Sequence, residues 1–306
     1  MISLGIVGVS PGNGHPFSFS AIINGYDPEG LASAGWDVIY EYVRKRDASE
    51  VGFDNARVTH VWTQDPETMR KLQAACRIPH AVDTVSDFIG KVDAVIIARD
   101  DYENHAAMAL PLLEAGLTVF VDKPLSVDQE ELKRCRPYLE HGKLMSCSGL
   151  RFARELDDAR ATIDTYGTIR FARGAVLNNW EQYGIHMLEA MLHVLPGNPV
   201  SVTALANAHD AFSIALDDGA TLQIDALGRV PKTFQVDIWG SDRRSTHEIN
   251  DNFTAFRRTL WRFVEMIRSG EPAINPDDTM NLMKTLIAGR RAEENGETVL
   301  LSDIQV

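Results

Sequence analysis

VDAVIIARDDYENHAAMALPLLEAGLTVFVDK, residues 92–123, decides the fold. It opens on a nearly unbroken apolar run at 92–98 (VDAVIIA), the pattern of a strand covered on both faces. Residues 104–115 have helical length and pattern, and 117–121 (LTVFV) return to an apolar run. Strand, helix and strand in that order form a βαβ unit, which requires a parallel sheet. Working outward, 2–9 and 58–63 (VTHVWT) on the N-terminal side and 144–148 on the C-terminal side read as further strands. Between them, 66–76 reads as a helix with Asp65 as N-cap and Pro66 at its first position, and 127–140 as one opened by Ser126. Residues 18–24 begin a third helix, and 25–55 read as an inserted excursion over the surface, either a lid or binding loop or mere decoration.

The pattern changes near residue 150. A helix at 157–165, a strand at 167–177 and an amphipathic helix at 180–194 lead into β-rich runs at 200–208, 211–216, 220–227 and 233–239, separated by turn residues. Two helices, 253–268 and 278–295, close the chain at Gly270 and Gly296. The division expected is a Rossmann-like, doubly wound α/β domain at 1–148, insertion included, and an α+β domain at 149–306 with an open, mostly antiparallel sheet.

Composition narrows the function classes. At 306 residues, 44% hydrophobic and 24% charged, the chain is a globular protein rather than a disordered or fibrous one. A net charge of −13 repels phosphate backbones and argues against nucleic-acid binding. No apolar run spans a bilayer, and no signal peptide is legible at the start. Three dispersed cysteines, Cys76, Cys135 and Cys147, point to a reducing compartment and a cytoplasmic protein. No His, Cys or carboxylate cluster has metal spacing; His186 and His193 lie roughly 10 Å apart along one helix.

The first strand runs into Gly8-Val9-Ser10-Pro11-Gly12-Asn13-Gly14. Such a turn brings backbone N–H groups to a pyrophosphate at a helix N-terminus. Ser10 and Asn13 break the strict G-x-G-x-x-G spacing, Gly14 serves as the third glycine only with one residue inserted, and an ordinary strand-to-helix turn reads the segment as well. After the second strand, where an acid would grip the adenine ribose, Thr63 takes the diagnostic position and Asp65 reads as a helix cap. Asp122-Lys123-Pro124 follows the fifth strand, at the carboxyl edge where ligands bind. A lysine there can hold a substrate oxygen and stabilise negative charge on it, or serve only as scaffold.

The order of these features resembles the glucose–fructose oxidoreductase, inositol dehydrogenase and MocA (Gfo/Idh/MocA) family of NAD(P)-dependent oxidoreductases. The resemblance rests on the glycine-rich start, 100–105, 109–123 (ALPLLEAGLTVFVDK), 149–152 (GLRF), Gly184-Ile185-His186 and 288–301 (AGRRAEENGETVLL). It implies catalytic roles for Lys123, matching the lysine of Glu-Lys-Pro with Asp122 in place of the glutamate, and for His186, which exchanges a proton with the substrate hydroxyl. It also implies cofactor contacts from Gly8, Ser10, Gly12, Asn13, Gly14, Thr63, Arg99, His105, Asp122, Lys123 and Pro124, with NAD slightly favoured over NADP. Substrate contacts fall to Arg151, Trp180, Gln182 and Tyr183. For Arg151 a structural salt bridge, for His105 a helix-terminus role and for one of the aromatics core packing stand as alternatives. Gln182 replaces an aspartate that sugar and inositol dehydrogenases often carry there, so it can hold a hydroxyl but not take its proton. The function expected is hydride transfer between nicotinamide and a secondary alcohol or ketone of a sugar, nucleotide sugar or polyol, by a homodimer or homotetramer. A cofactor- or sugar-binding regulator of the same fold, and an NAD-dependent glycosidase or lyase without net redox change, are the alternatives.

Overall fold

Along the first 146 residues strands and helices alternate: β1 (Ile2–Val7), α1 (His15–Asn24), α2 (Pro28–Ala32), α3 (Asp37–Val43), β2 (Ala56–Trp62), α4 (Pro66–Cys76), β3 (His80–Ala81), β4 (Ala94–Ile97), α5 (His105–Glu114), β5 (Thr118–Val121), α6 (Gln129–Glu140) and β6 (Leu144–Ser146). The computed structural model describes residues 1–306, which divide into two compact units. The first comprises 1–126, 134–146 and 256–276; the second comprises 127–133, 147–255 and 277–306.

In the first unit six parallel strands lie in the order β3-β2-β1-β4-β5-β6. Every residue of β4 and β5 is buried, which explains their unbroken apolar sequence. The strand order reverses between β1 and β4, and ligands of open α/β sheets bind beyond the carboxyl ends at such a point. Three readings need correction. The 25–55 stretch is not a surface excursion: α2 and α3 fold within it, Leu31, Ile39 and Val43 are buried, and Asp27 N donates to the Ala75 carbonyl of α4 at 2.8 Å. Its sequence signal was Asp27-Pro28, the same cap-and-first-turn pair as Asp65-Pro66. Helix α1 begins at His15 rather than 18, because the Asn13 carboxamide caps the His15 N–H at 2.8 Å. Helix α6 is capped by Asp128 rather than Ser126, with Glu130 and Glu131 N–H groups on its Oδ1 at 2.8 and 2.9 Å.

The second unit holds α7 (Asp157–Ala161), β7 (Ile169–Val176), α8 (Ile185–Leu192), β8 (Pro199–Ala204), β9 (Asp210–Leu216), β10 (Thr221–Ala226), β11 (Phe234–Gly240) and β12 (Arg244–Glu248). Along the chain helix α9 (Asn252–Ser269) follows, its residues from 256 on belonging to the first unit, then α10 (Pro276–Asn295) and β13 (Val299–Leu300). The seven-stranded sheet runs β12-β11-β7-β10-β9-β8-β13 and is antiparallel except where β10 lies parallel to β7. It is therefore not a simple meander, since β7 enters between strands that come much later in the chain. Strands β12 (RSTHE) and β13 escape the sequence because they are short, polar or at an edge. The helix expected at 180–194 begins instead as a π-helical turn, Trp180–Gly184, continuing into α8. Asn179 caps that turn by accepting the Gln182 N–H at 3.0 Å.

Candidate active-site residues

In the first unit the glycine-rich turn is shaped by contact. A Cβ on Gly8 would stand 2.2 Å from the Pro16 ring, and one on Gly14 within 2.6 Å of Ile39 and Trp36. Gly12 adopts a φ of 81° and faces open space, so backbone rather than side chain is presented there. Ser10 donates to the Asp100 carboxylate and accepts the Asp100 N–H at 3.1 Å. Beyond the ends of β1, β2 and β4, Arg99 forms a buckle. Its guanidinium makes a bidentate pair with Asp101 at 2.8 and 2.5 Å and reaches the Val9 carbonyl at 3.0 Å and Gln64 Oε1 at 2.9 Å. Its hydrogen bonds are thus spent on fixing the loops.

A cavity of about 380 Å³ opens beside this turn, lined by Ser10, Pro11, Gly12, Trp36, Gln64, Asp65, Thr68 and Lys71 among others. Thr63 is buried and donates to the Asp65 carbonyl at 2.6 Å, so it braces the turn. Asp65 caps α4 as its sequence implies and also borders the cavity. Hydrogen bonds from the Thr68 hydroxyl and N–H hold its carboxyl below the usual range, so the rim carries a fixed negative charge.

At the end of β5, Asp122 and Lys123 are both buried. The Asp122 carboxylate meets His15 Nδ1 at 2.5 Å and accepts the Lys123 N–H at 2.9 Å. Burial disfavours its charge, yet the His15 ring and the Lys123 ammonium overcome that and hold the carboxyl well below the usual range. Asn13 approaches the same carboxylate at 3.4 Å, while the His15 ring stacks on Phe19 at 4.9 Å and meets the edge of Phe256 at 5.0 Å. His105 is fully buried, its ring spanning the Pro124 carbonyl at 2.8 Å and the Arg99 carbonyl at 2.9 Å. This supports the helix-terminus alternative: His105 and Pro124 shape the Lys123 loop. The first unit thus gathers the glycine turn, Thr63, Arg99, His105 and the 122–124 triplet around the carboxyl ends of one sheet.

In the second unit His186 stands at the start of α8, Nδ1 2.6 Å from the Ser148 hydroxyl. Its ring lies between Tyr183 at 5.3 Å and Phe234 at 5.9 Å, both edge-on. Tyr183 is half-buried against this cluster and Gln182 is exposed on the π-helical turn. The other two substrate candidates lie elsewhere. Trp180 is a core residue, 4.1 Å from Phe212 and bonded through Nε1 to the Leu286 carbonyl at 3.4 Å. Arg151 is only 3% exposed and pairs with Glu189 at 3.1 Å and Asp278 at 2.6 Å, which makes it the structural salt bridge. Burial pushes the Glu189 carboxyl up to about 7, against the pull of Arg151. Sequence reading missed Ser148, Glu189 and the cavity-facing side of Asp65. Ser148 directly precedes Gly149-Leu150-Arg151-Phe152, and only that adjacency pointed to it.

No helix is long and apolar enough to cross a membrane. No curated protein matches the sequence. Solved structures match over nearly the whole length at low identity, and they show the fold. They include apo scyllo-inositol dehydrogenase from Lactobacillus casei (15% identity, TM-score 0.79, 99% of this chain and 98% of that one). The same enzyme with bound NAD(H) and scyllo-inositol gives 16%, 0.77 and 99% of both chains. Myo-inositol 2-dehydrogenase from Lactobacillus plantarum gives 15%, 0.78, 98% of this chain and 99% of that one. Residues 39–146 match the model described as oxidoreductase family, NAD-binding Rossmann fold. Residues 39–146 thus match the oxidoreductase family's NAD-binding Rossmann model, and the chain as a whole shares its fold with the inositol dehydrogenases.

Proposed function

We propose that this chain is an NAD-dependent dehydrogenase that interconverts a secondary alcohol and a ketone on a polyol or sugar, with an inositol as the first substrate class to test. The observation that carries the reading is Lys123, buried at the carboxyl end of β5 beside an ionised Asp122, in a six-stranded parallel sheet of Rossmann order. The residues fit a dinucleotide. Gly12 leaves backbone facing open space, and a cavity of about 380 Å³ lies between the glycine turn and the end of β2. Ser10, Gly12 and Gln64 would line the dinucleotide, and Asp65 would meet the adenine ribose. Bound nicotinamide supplies the hydride donor or acceptor. The Asp65 charge on the rim favours NAD over NADP, whose extra phosphate it repels, and Lys71, the cation in the same lining, is paired with Glu67 at 2.8 Å.

Lys123 would hydrogen-bond the substrate oxygen and stabilise the negative charge that develops there. His186 would return or remove the hydroxyl proton. Tyr183 beside it, half-buried, is an aromatic suited to the C–H surface of a polyol ring. Three cysteines, all free and buried, support a reducing cytoplasmic setting.

The test is a fluorescence titration with NADH and NADPH, followed by turnover on a panel of inositols and sugars. Saturable NADH binding, with turnover about 10³-fold lower in Lys123→Met, is the expected result. A folded, cofactor-free sample that binds neither nucleotide overturns the reading.

A further inference from the structure

The second unit contains a buried ion pair that the proposed chemistry does not use, and its placement gives it a purpose. His186 and Glu189 stand three residues apart on α8, hence on one face, and both reach Ser148. The Ser148 backbone N–H lies against the Glu189 carboxylate and favours its charge, while the Ser148 hydroxyl meets His186 Nδ1 at 2.6 Å. Arg151 in turn ties Glu189 at 3.1 Å to Asp278 at 2.6 Å, closing the loop that bears Ser148 onto α8 and α10. Ser148 is 1% exposed, and its hydroxyl already accepts the Leu150 N–H at 3.1 Å. One lone pair is therefore committed, and the hydroxyl meets the imidazole with either its second lone pair or its hydrogen.

We propose that Ser148 is the positioning residue for His186: its hydroxyl oxygen accepts from Nδ1–H and fixes the tautomer in which Nε2 takes up and returns the proton. This inference rests on the reading of His186 as the proton-exchanging group. With the proton on Nδ1, the same bond to Ser148 is kept whether the ring is neutral or has accepted a second proton at Nε2, so no hydroxyl rotation accompanies the exchange. The opposite arrangement, with the hydroxyl donating to Nδ1, leaves the neutral ring protonated at Nε2 and unable to act there as a base. Arg151, Glu189 and Asp278 fix the serine, and the serine fixes the ring.

The experiment is nitrogen NMR of the full chain carrying 15N-labelled histidine, with His186→Gln used to assign the ring signals. At a pH where the ring is neutral, the wild-type protein shows a protonated Nδ1 and an unprotonated Nε2. Ser148→Ala moves the proton towards Nε2, and Ser148→Thr, which keeps the hydroxyl, restores the wild-type pattern. A wild-type ring carrying its proton on Nε2 overturns the proposal without any variant, and so does a Ser148→Ala spectrum identical to wild type. On an inositol that the chain oxidises, Ser148→Ala lowers kcat about 10–100-fold, with KM nearly unchanged. The ring signals are read without substrate, so absence of turnover on every polyol sinks the dehydrogenase reading while the tautomer still decides this one.

Discussion

Replacing Arg151 with methionine separates a structural from a substrate-binding arginine, and the structure fixes the size and pH dependence of the effect. Methionine keeps most of the buried stem and removes the guanidinium. In the wild-type protein Glu189 already sits up to about 7 against its ordinary 4.5, because burial outweighs the attraction of Arg151. A carboxyl raised on folding is protonated in the native state while the unfolded chain has released its proton. Its contribution to stability is therefore full below pH 4.5 and is lost as pH rises through about 7, in total about 3 kcal/mol. Without the guanidinium the carboxyl rises further, so the loss continues into alkaline pH at about 1.4 kcal/mol per pH unit.

At pH 5.5 Glu189 is largely neutral in the native protein, and Arg151→Met loses the contact with Asp278 and little more, about 1 kcal/mol. Above pH 7 the wild-type carboxyl has ionised beside Arg151 while the variant's stays protonated, so the cost grows by about 1.4 kcal/mol per pH unit and reaches about 3 kcal/mol at pH 8.5. Urea unfolding of both proteins at the two pH values reads the difference directly, and groups common to both chains cancel. A destabilisation equal at both pH values, or below about 1 kcal/mol at pH 8.5, refutes the account. So does a variant of wild-type stability whose only defect is a raised KM, because a substrate contact gives that result.

Three further predictions concern the first unit. Asp65→Asn removes the rim charge and narrows the preference for NADH over NADPH about fivefold in parallel fluorescence titrations. Gly14→Ala sets a methyl within 2.6 Å of Ile39 and Trp36 and destabilises by about 1–3 kcal/mol in urea unfolding. Asp122→Asn lowers Tm at neutral pH. Because the Asp122 carboxyl is depressed on folding, its stabilisation is present above the unfolded value of 3.8, and the gap between wild type and variant closes as pH falls below it. A gap unchanged down to pH 2.5 in thermal melts counts against the pairing with His15.

What the sequence made legible follows from where a single element suffices as its own signal. Strands β4 and β5 are buried along their whole length, so no other segment was needed to read them, and Lys123 inherited its place from the strand before it. The 25–55 stretch was misjudged because α2 and α3 are short and bury only Leu31, Ile39 and Val43, too few apolar positions to establish a period. Helix α2 alone carries a legible cap, Asp27-Pro28, which opens it as Asp65-Pro66 opens α4, while α3 has no side-chain cap.

The site residues divide along the same line. Lys123 and His186 were reached through the resemblance, and the geometry around each remains its own unit's. For Arg151 and Trp180 the sequence leaves substrate contact and a structural role both open, because it gives no burial: an arginine that follows a strand and a tryptophan that opens a helix carry the same letters whether they face solvent or core. What distinguishes them is the partner. Glu189 lies 38 residues from Arg151 and Asp278 lies 127 away, while Leu286, which accepts the Trp180 indole N–H, is 106 away. No local pattern records pairings at those separations. The same holds for Ser148 and His186, 38 residues apart, where two unremarkable letters become a hydrogen bond only after the chain has folded α8 against the 149–152 turn. The candidate catalytic residues of this chain are thus the parts a sequence shows first, and the residues packed against them are the parts it shows last, because packing partners are set by long-range contact.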